Sequence, residues 1–276
     1  AMRPETRAEL IDIARRLERF SDDVAAGLSP RLMLLMPPRA GKSELASRMF
    51  PAWHLGRHPD HEIIACSYNV GLAMGFSRKV KNTIEDPSYQ SVFGTRLNPN
   101  HQGAEEWGID NARGGYVAAG VGGGINGKGA HILIVDDPIK NAEEADSADT
   151  REKNWDWFGS TAYTRLAPGG GVLIVQTWWH DDDLAGRLQN AMKADPDADQ
   201  YEVVKYPAIA EHDEWNDPAT DEIVRIDIGM SAASEEERTA LIATKGMSHL
   251  TFLRAKGDAL HPERYDLVKL NRIKKT

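Results

Sequence analysis

Residues 36–44 constrain the fold of this chain more than any other segment, because they join an apolar run to a helical pattern. Residues 31–36 are mostly apolar and are followed by two prolines, which predicts a buried strand that cannot extend further. Residues 42–55 carry a helical pattern that begins just after Gly41. A strand, a tight loop and a helix in this order are typical of a phosphate-binding loop of the Walker A kind. Residues 36–44 are therefore predicted to be such a phosphate loop.

In a phosphate loop, backbone N–H groups cradle the phosphates, a lysine reaches the β- and γ-phosphates, and a hydroxyl group ligates Mg²⁺. Lys42 and Ser43 fit the last two roles. The loop departs from the usual pattern at Met36, where the first glycine belongs, and at Arg39, which adds a cation inside the loop. A Gly-Lys-Ser sequence alone is also compatible with an ordinary helix start. The residues expected to bind the nucleotide are Pro38, Arg39, Ala40, Gly41, Lys42, Ser43 and Glu44.

In a second segment, two acidic residues directly follow a predicted apolar strand. Residues 132–135 are apolar and lead directly into Asp136 and Asp137. This is the Walker B arrangement, in which Asp136 is expected to hold the shell of Mg²⁺ together with Ser43, while Asp137 orients the attacking water. The second acid of a Walker B segment is usually the longer Glu, not Asp. Glu143 or Glu144 is therefore an alternative base.

The third segment is the polar pair Gln176 and Thr177, which stands at the end of the next predicted buried strand. Such a pair beside a phosphate loop is expected to sense the γ-phosphate, although polar strand ends are as often simple caps. Trp178 and Trp179 follow, and core or interface packing is favoured over stacking on bases. The acidic turn that begins at His180 predicts an N-terminal helix cap rather than a metal cluster.

Strand and helix patterns alternate along most of the chain, which predicts a parallel sheet covered on both faces. The predicted fold class is α/β: a P-loop NTPase of the ASCE, RecA-like kind, with a mainly parallel central sheet flanked by helices and a small C-terminal lid or linker subdomain. Predicted strands are 31–36, 62–67, 115–119, 131–136, 171–176 and 202–206, and predicted helices are 6–26, 42–55, 70–84, 151–163 and 182–192.

Three regions are expected along the chain. Residues 1–27 form an N-terminal helical segment, residues 28–207 form the P-loop ATPase core, and residues 208–276 form the lid or linker. Within the last region, residues 211–227 show no clear period and predict a loop, whereas residues 235–245 and 248–256 predict short helices.

Composition narrows the class of protein. The chain of 276 residues is 41% hydrophobic, enough to bury a full core, and it holds no apolar run near the roughly 20 residues that cross a bilayer. We therefore expect a cytoplasmic protein. The net charge of −9 argues against a basic coat for passive nucleic-acid binding but leaves local contacts with DNA open. The single cysteine, Cys66, lies in an apolar run and predicts a buried, inert thiol.

Together, the order and spacing of these segments resemble the motor domain of tailed-phage terminase large subunits, over roughly residues 28–266. The resemblance implies an ATPase that translocates double-stranded DNA into a procapsid in the host cytoplasm, with ATP and Mg²⁺ as cofactors. It also implies a homo-oligomeric ring on a portal and a small terminase subunit as partners. The stretches that look like the family are 34–43, 122–129, 136–140, 161–166 and 261–265.

The resemblance extends to arginines. Arg39 would contact phosphate within its own subunit, and a further arginine would reach the ATP of a neighbour, where such a finger stabilises transition-state charge. Arg165 and Arg151 are the candidates, and solvated surface charges are the alternative. The glycine-rich residues 120–129, with Lys128, are either a loop that faces DNA or responds to nucleotide, or a flexible connection.

The chain departs from the family in two ways. Trp178 stands where an arginine commonly follows the coupling-motif threonine. Terminases also carry a nuclease domain after the motor, and the chain is expected to stop before it. Two other functions are compatible with the sequence: a helicase-like nucleic-acid-dependent ATPase, and a nucleotide-binding assembly module with little turnover.

Overall fold

The computed structural model describes residues 4–125, 127–227, 234–260 and 267. Asn126 of the glycine-rich segment and the family-like stretch 261–265 lie outside the described residues. The chain divides into two compact units. The core unit comprises residues 19–204, and the terminal unit combines residues 1–18 with residues 205–276.

An eight-stranded sheet with the order β3-β4-β5-β2-β6-β7-β1-β8 forms the centre of the core unit. The strands β5, β2, β6, β7 and β1 pair in parallel, whereas β3 and β4 add an antiparallel edge. The parallel part confirms the predicted α/β class, and β7 lies between β1 and β6, where the ASCE prediction requires an additional strand. The strands are β1 Arg31–Leu35, β2 Glu62–Ser67, β3 Leu97–Gln102, β4 Glu106–Ile109, β5 Gly115–Gly120, β6 Ala130–Asp136, β7 Leu166–Gln176 and β8 Glu202–Lys205.

The predicted helices are present, and two of them change pitch. The helix after the phosphate loop passes through a π turn at Leu45–Met49, and the helix predicted over 151–163 ends in a π turn at Phe158–Ala162 and a 3₁₀ turn at Tyr163–Arg165. The helices are α1 Pro4–Ala25, α2 Lys42–Glu44, α3 Phe50–Arg57, α4 Val70–Glu85, α5 Pro87–Phe93, α6 Ala142–Asp146, α7 Ala148–Trp157 and α8 Leu184–Ala194.

The two central strands, β6 and β7, are buried on both faces, as their unbroken apolar sequences predict. Leu133 and Val135 pack in a cluster with Trp157 of α7 and Leu184 of α8. Ile134, on the opposite face of β6, is also fully buried. Complete burial of each such side chain contributes about 1.5–3 kcal/mol relative to exposure. Packing on both faces therefore fixes the positions of the two central strands.

Helix α1 approaches β7 closely at Gly171. A Cβ atom at this position would lie 2.6 Å from the Phe20 ring and 2.7 Å from a methyl group of Val24. Real Cβ atoms do not come so close to other side-chain atoms, so only glycine permits this contact. The last turns of α1 therefore belong to the packing of the core unit.

The terminal unit contains a three-stranded antiparallel sheet with the order β10-β9-β11. Its strands are β9 Glu214–Asp217, β10 Glu222–Arg225 and β11 Thr251–Arg254, and helix α9 is Glu235–Thr244. The predicted loop over 211–227 and the predicted short helix over 248–256 are therefore wrong, whereas the helix over 235–245 is confirmed. Each strand has only four residues. The sheet is fixed by tertiary packing of the fully buried Trp215 against Phe252, which no local period reveals.

Two smaller predictions are also resolved. Cys66 is fully buried, and burial raises the pKa of its thiol far above the ordinary range, which agrees with an inert role. Among the described residues, no helix is both long enough and apolar enough to span a membrane.

Candidate nucleotide-binding site

The residues predicted to bind the nucleotide and the metal meet at the carboxyl edge of the parallel sheet. The phosphate loop follows β1, Asp136 ends β6 and Gln176 ends β7. These three strands are neighbours in the sheet, so residues that are far apart in sequence lie close together at this edge. Open α/β sheets place their ligand sites at this edge.

The phosphate loop is fixed to the sheet at one end and to the helix at the other. Met36 N–H donates to the Gln176 carbonyl oxygen at 3.1 Å, and Leu45 N–H donates to the Gly41 carbonyl oxygen at 3.1 Å. Gly41 has a φ of 95°, a left-handed conformation that favours glycine. Arg39 also has a positive φ, 62°, and its side chain is exposed. Such backbone conformations in side-chain-bearing residues are uncommon and cluster at ligand sites.

Asp136 is held by two serines. Ser43 Oγ donates to Asp136 Oδ1 at 3.0 Å, and Ser47 Oγ donates to Asp136 Oδ2 at 2.6 Å. The Asp136 side chain is almost completely buried. Burial, and then the neighbouring Asp137 carboxylate, raise the pKa of Asp136 to about 6, while Ser47, Lys42 and Ser43 lower it. Ser47 was not among the predicted site residues, although its spacing of four residues from Ser43 on a helix places it on the same face.

Lys42 occupies the centre of a second group. Its Nζ lies 2.8 Å from Asp137 Oδ2 and donates to Thr177 Oγ1 at 3.2 Å. Thr177 N–H in turn donates to Asp137 Oδ1 at 2.8 Å. Lys42, Asp137 and Thr177 therefore form a closed triangle of polar contacts, with the lysine only 5% exposed.

Asp137 departs from strand geometry. Its φ is 44°, in the left-handed region, and its N–H still donates to the Val175 carbonyl oxygen at 2.8 Å. Aspartate tolerates this region better than most residues. The turn at Asp137 aims its carboxylate at Lys42, while Asp136, still on the strand, faces the two serines. This geometry separates the two adjacent acids.

Gln176 has an unused acceptor. Its side chain is 2% exposed, and its Oε1 has no hydrogen-bond partner among the described residues. A buried carbonyl oxygen without a partner costs roughly 1–3 kcal/mol. A donor from a ligand or an ordered water would remove that cost.

The alternative bases lie on α6. Asn141 Oδ1 accepts from Glu144 N–H at 2.9 Å, and Glu144 Oε2 accepts from Lys140 N–H at 3.1 Å. Glu144 is therefore engaged in capping α6. Glu143 is exposed on the same helix.

The two arginines predicted to act in trans differ in position. Arg151 Nε lies 3.0 Å from Asp182 Oδ2, and its Nη1 donates to the Ala145 carbonyl oxygen at 2.6 Å. Arg165 directly precedes β7, at the amino edge of the sheet, opposite the phosphate loop. The regular part of β7 alone, from Gly171 to Gln176, spans roughly 17 Å at about 3.3 Å per residue. Arg165 is thus remote from the phosphate loop of its own chain.

The acidic turn after Trp179 is a helix cap, as predicted. Asp183 is the N-cap of α8, and its Oδ1 accepts from Gly186 N–H at 3.0 Å. Within the described ranges, no group of three or more histidine, cysteine, aspartate or glutamate residues is arranged to hold a metal. Trp178 and Trp179 are 38% and 37% exposed, so neither is a core residue.

The glycine-rich segment borders a cavity of about 630 Å³ at the carboxyl ends of β2 and β5. Lys128 pairs with Glu106 at 2.5 Å, and Trp157 Nε1 donates to the Gly123 carbonyl oxygen at 3.0 Å. Ile125 is buried. The described part of the segment is therefore anchored at several points.

The residues present fit a magnesium nucleotide. Mg²⁺ prefers oxygen ligands, and Ser43 and Asp136 supply a hydroxyl and a carboxylate at one point. Lys42, at the start of the helix, supplies the cation that phosphate binding requires. The orphan oxygen of Gln176 adds an acceptor at the same edge.

Comparison with known proteins gives the family of the chain. A family model described as terminase large subunit, T4likevirus-type, N-terminal, matches residues 33–244. No curated protein matches the chain. Among solved structures, the chain is similar to a large terminase from a thermophilic bacteriophage (crystal form 2), with 10% sequence identity and a TM-score of 0.41. The similarity covers 78% of this chain and 45% of that one, so this chain spans less than half of that terminase.

Proposed function

The chain belongs to the T4-like-virus type of the terminase large-subunit family, matching its N-terminal model, and on that premise we propose that it is an ATP-hydrolysing motor domain that drives double-stranded DNA into a procapsid. One observation carries the proposal. Side chains from two other segments converge on Lys42, which is paired with Asp137 and bonded to Thr177. A nearly buried lysine with these partners at the start of a helix is suited to phosphate.

Phosphate binding would change the partners of Lys42. A nucleotide phosphate carries more negative charge than a single carboxylate, so it competes with Asp137 for the ammonium group. Asp137 keeps its bond from Thr177 N–H after Lys42 turns away. The released carboxylate oxygen then orients the attacking water and accepts its proton.

Ser43 and Asp136 would hold Mg²⁺, which neutralises charge on the transferred phosphoryl group when it is bound. Arg39, on the exposed side of the phosphate loop, would add a second positive charge beside Lys42. Gln176 and Thr177 would report the presence of the γ-phosphate to the segment that follows β7. Thr177 Oγ1 already contacts Lys42, so a change at the lysine reaches this segment directly.

The proposal extends to an assembly. A homo-oligomeric ring on a portal, a small terminase subunit and double-stranded DNA are the partners that the family implies. In such a ring, an arginine of one subunit completes the site of the next. Arg151 would have to leave Asp182 to act in this way, whereas Arg165 is partly exposed and has no acidic partner to leave among the described contacts.

A second function is favoured by one observation. Asp137 is bound to Lys42 and is one methylene shorter than the usual glutamate, which suits a module that binds nucleotide for assembly with little turnover.

Steady-state ATP hydrolysis, measured against protein concentration with and without double-stranded DNA, tests the proposal. We expect a rate that rises faster than linearly with protein, that DNA stimulates and that Lys42→Ala abolishes. Lys153→Ala is the matched control, because it removes a 73% exposed lysine of the same unit. ATP binding without hydrolysis at any concentration would support the assembly module instead.

A further inference from the structure

Ser47 is a buried serine that the reaction proposed above does not yet use. It is 1% exposed, and it lies in the π turn that follows the phosphate loop. Its hydroxyl donates to Asp136 Oδ2 at 2.6 Å, a shorter contact than the 3.0 Å bond from Ser43 to Oδ1. The two hydroxyl groups thus hold the two oxygens of one carboxylate.

The two bonds cannot serve the same purpose once a metal is present. If Ser43 Oγ ligates Mg²⁺, as proposed, it would share a lone pair with the metal, and the direction of its O–H bond would change with metal occupancy. The hydrogen bond from Ser43 to Asp136 Oδ1 would therefore depend on whether the metal is bound. The bond from Ser47 is independent of that change, because Ser47 lies one turn further along the helix, away from the phosphate loop. It keeps Oδ2 occupied and the plane of the carboxylate fixed.

We propose that Ser47 is a positioning residue for Mg²⁺: it orients the Asp136 carboxylate so that Oδ1 faces the metal and its waters. The inference rests on the proposed nucleotide site and adds a residue to it. Partners that orient metal-binding groups typically change metal affinity by about 10–100-fold when they are removed. Nucleotide binding without metal depends on Lys42 and the loop and is independent of Ser47.

The test uses the full chain, ADP and Mn²⁺ as the metal probe, with bound Mn²⁺ measured by electron paramagnetic resonance. Ser47→Ala removes the hydroxyl, and Ser47→Cys keeps the volume but provides only a weak donor. Ser47→Thr retains the hydroxyl. Ser77→Ala is the matched control, because Ser77 is also fully buried and bonded, but to Trp107. The affinity for ADP in EDTA is measured in parallel.

We expect Ser47→Ala and Ser47→Cys to weaken Mn²⁺ binding about 10-fold while the affinity for metal-free ADP is unchanged. Ser47→Thr should keep most of the wild-type affinity for Mn²⁺, and Ser77→Ala should leave both affinities at the wild-type values. Wild-type Mn²⁺ affinity in Ser47→Ala or Ser47→Cys would overturn the inference while leaving the nucleotide site intact. Failure of the wild-type chain to bind ADP at all would instead overturn the proposed function.

Discussion

The Lys42 ammonium lies 2.8 Å from Asp137 Oδ2, so the predicted phosphate-binding cation and the predicted catalytic acid are bound to each other. Lys42 is nearly buried, whereas 27% of the Asp137 side chain is exposed. The pair therefore keeps a lysine charge satisfied inside the protein until a stronger anion arrives. Under the proposed function, phosphate binding and release of the acid would be a single exchange of partners.

The first prediction follows from this exchange. Asp137→Asn should bind ATP at least as tightly as the wild type, because the amide competes less for Lys42, and should lose about 10²–10⁴-fold in hydrolysis. Nucleotide titration and single-turnover hydrolysis measure the two effects. Glu143→Gln serves as the control for the alternative base. Full activity in Asp137→Asn, with none in Glu143→Gln, would transfer the role of base to Glu143.

A buried carboxyl group predicts that the terminal unit loses stability as pH rises toward about 8. Glu9 is 1% exposed, and neither carboxyl oxygen has a hydrogen-bond partner among the described residues. Burial raises its pKa to about 8, Arg254 opposes the shift, and Glu214 adds to it. The folded state therefore prefers the protonated acid, and its stability falls as pH rises from about 4.5, the ordinary pKa, to about 8.

Each unit of difference in pKa corresponds to about 1.4 kcal/mol. Glu9→Gln, which mimics the protonated form, should flatten the loss of stability between pH 5 and pH 8, as measured by urea unfolding. Glu18→Gln, on the exposed side of the same helix, should keep the wild-type slope. Identical slopes in the wild type and Glu9→Gln would show that Glu9 ionises normally.

Four histidines predict the opposite behaviour for the core unit. His54 is fully buried, with Nδ1 2.7 Å from Ser21 Oγ and Nε2 3.0 Å from His61 Nδ1. His61 also stacks on His58 and on His131. Burial, with repulsion from the neighbouring histidines, lowers the pKa of His54 to about 2 and that of His61 to about 4.

The folded core unit therefore prefers neutral histidines. The stabilisation is complete above pH 6.5, the ordinary pKa, and is lost as pH falls from 6.5 toward 4. His61→Gln should reduce the loss of thermal stability between pH 7 and pH 5, whereas His101→Gln, at an exposed site, should not. Equal losses in the wild type and His61→Gln would contradict the buried, neutral state of this cluster.

The close approach at Gly171 predicts a steric effect. Gly171→Ala would place a methyl group 2.6 Å from Phe20, and such overpacking costs about 1–3 kcal/mol. Gly159→Ala is the matched control, since its Cβ would meet no atom within 4 Å. Urea unfolding of the two variants should differ by that amount. Equal stability would mean that α1 does not pack on β7 at this point.

The position of the candidate site was predictable because it lies where strongly apolar strands end. Asp136 and Gln176 follow strands whose sequences are apolar throughout, so strand ends and motif positions coincide. Edge strands carry no such signal. β3 is mostly exposed, contains Pro99 and shows neither an apolar run nor alternation, so it was missed. The small sheet of the terminal unit was missed because its order depends on Trp215 meeting residues distant in sequence.

Contacts between side chains were the least predictable part. Ser47 has the right spacing from Ser43, but only the structure gives its bond to Asp136. The pairing of Lys42 with Asp137 depends on the left-handed turn at Asp137, which the sequence does not specify, because aspartate adopts that conformation only in some contexts. The histidine cluster likewise joins residues from helix, loop and strand.

Isothermal titration of the chain with ADP and Mg²⁺ tests the central claim most directly, because it measures the nucleotide site without requiring an assembled ring. The wild type and Lys153→Ala should bind one nucleotide per chain. Lys42→Ala should bind at least about 10-fold more weakly, since it loses a charged hydrogen bond to phosphate. Binding by Lys42→Ala with wild-type affinity, or no binding by the wild type, would contradict a phosphate site at residues 36–44.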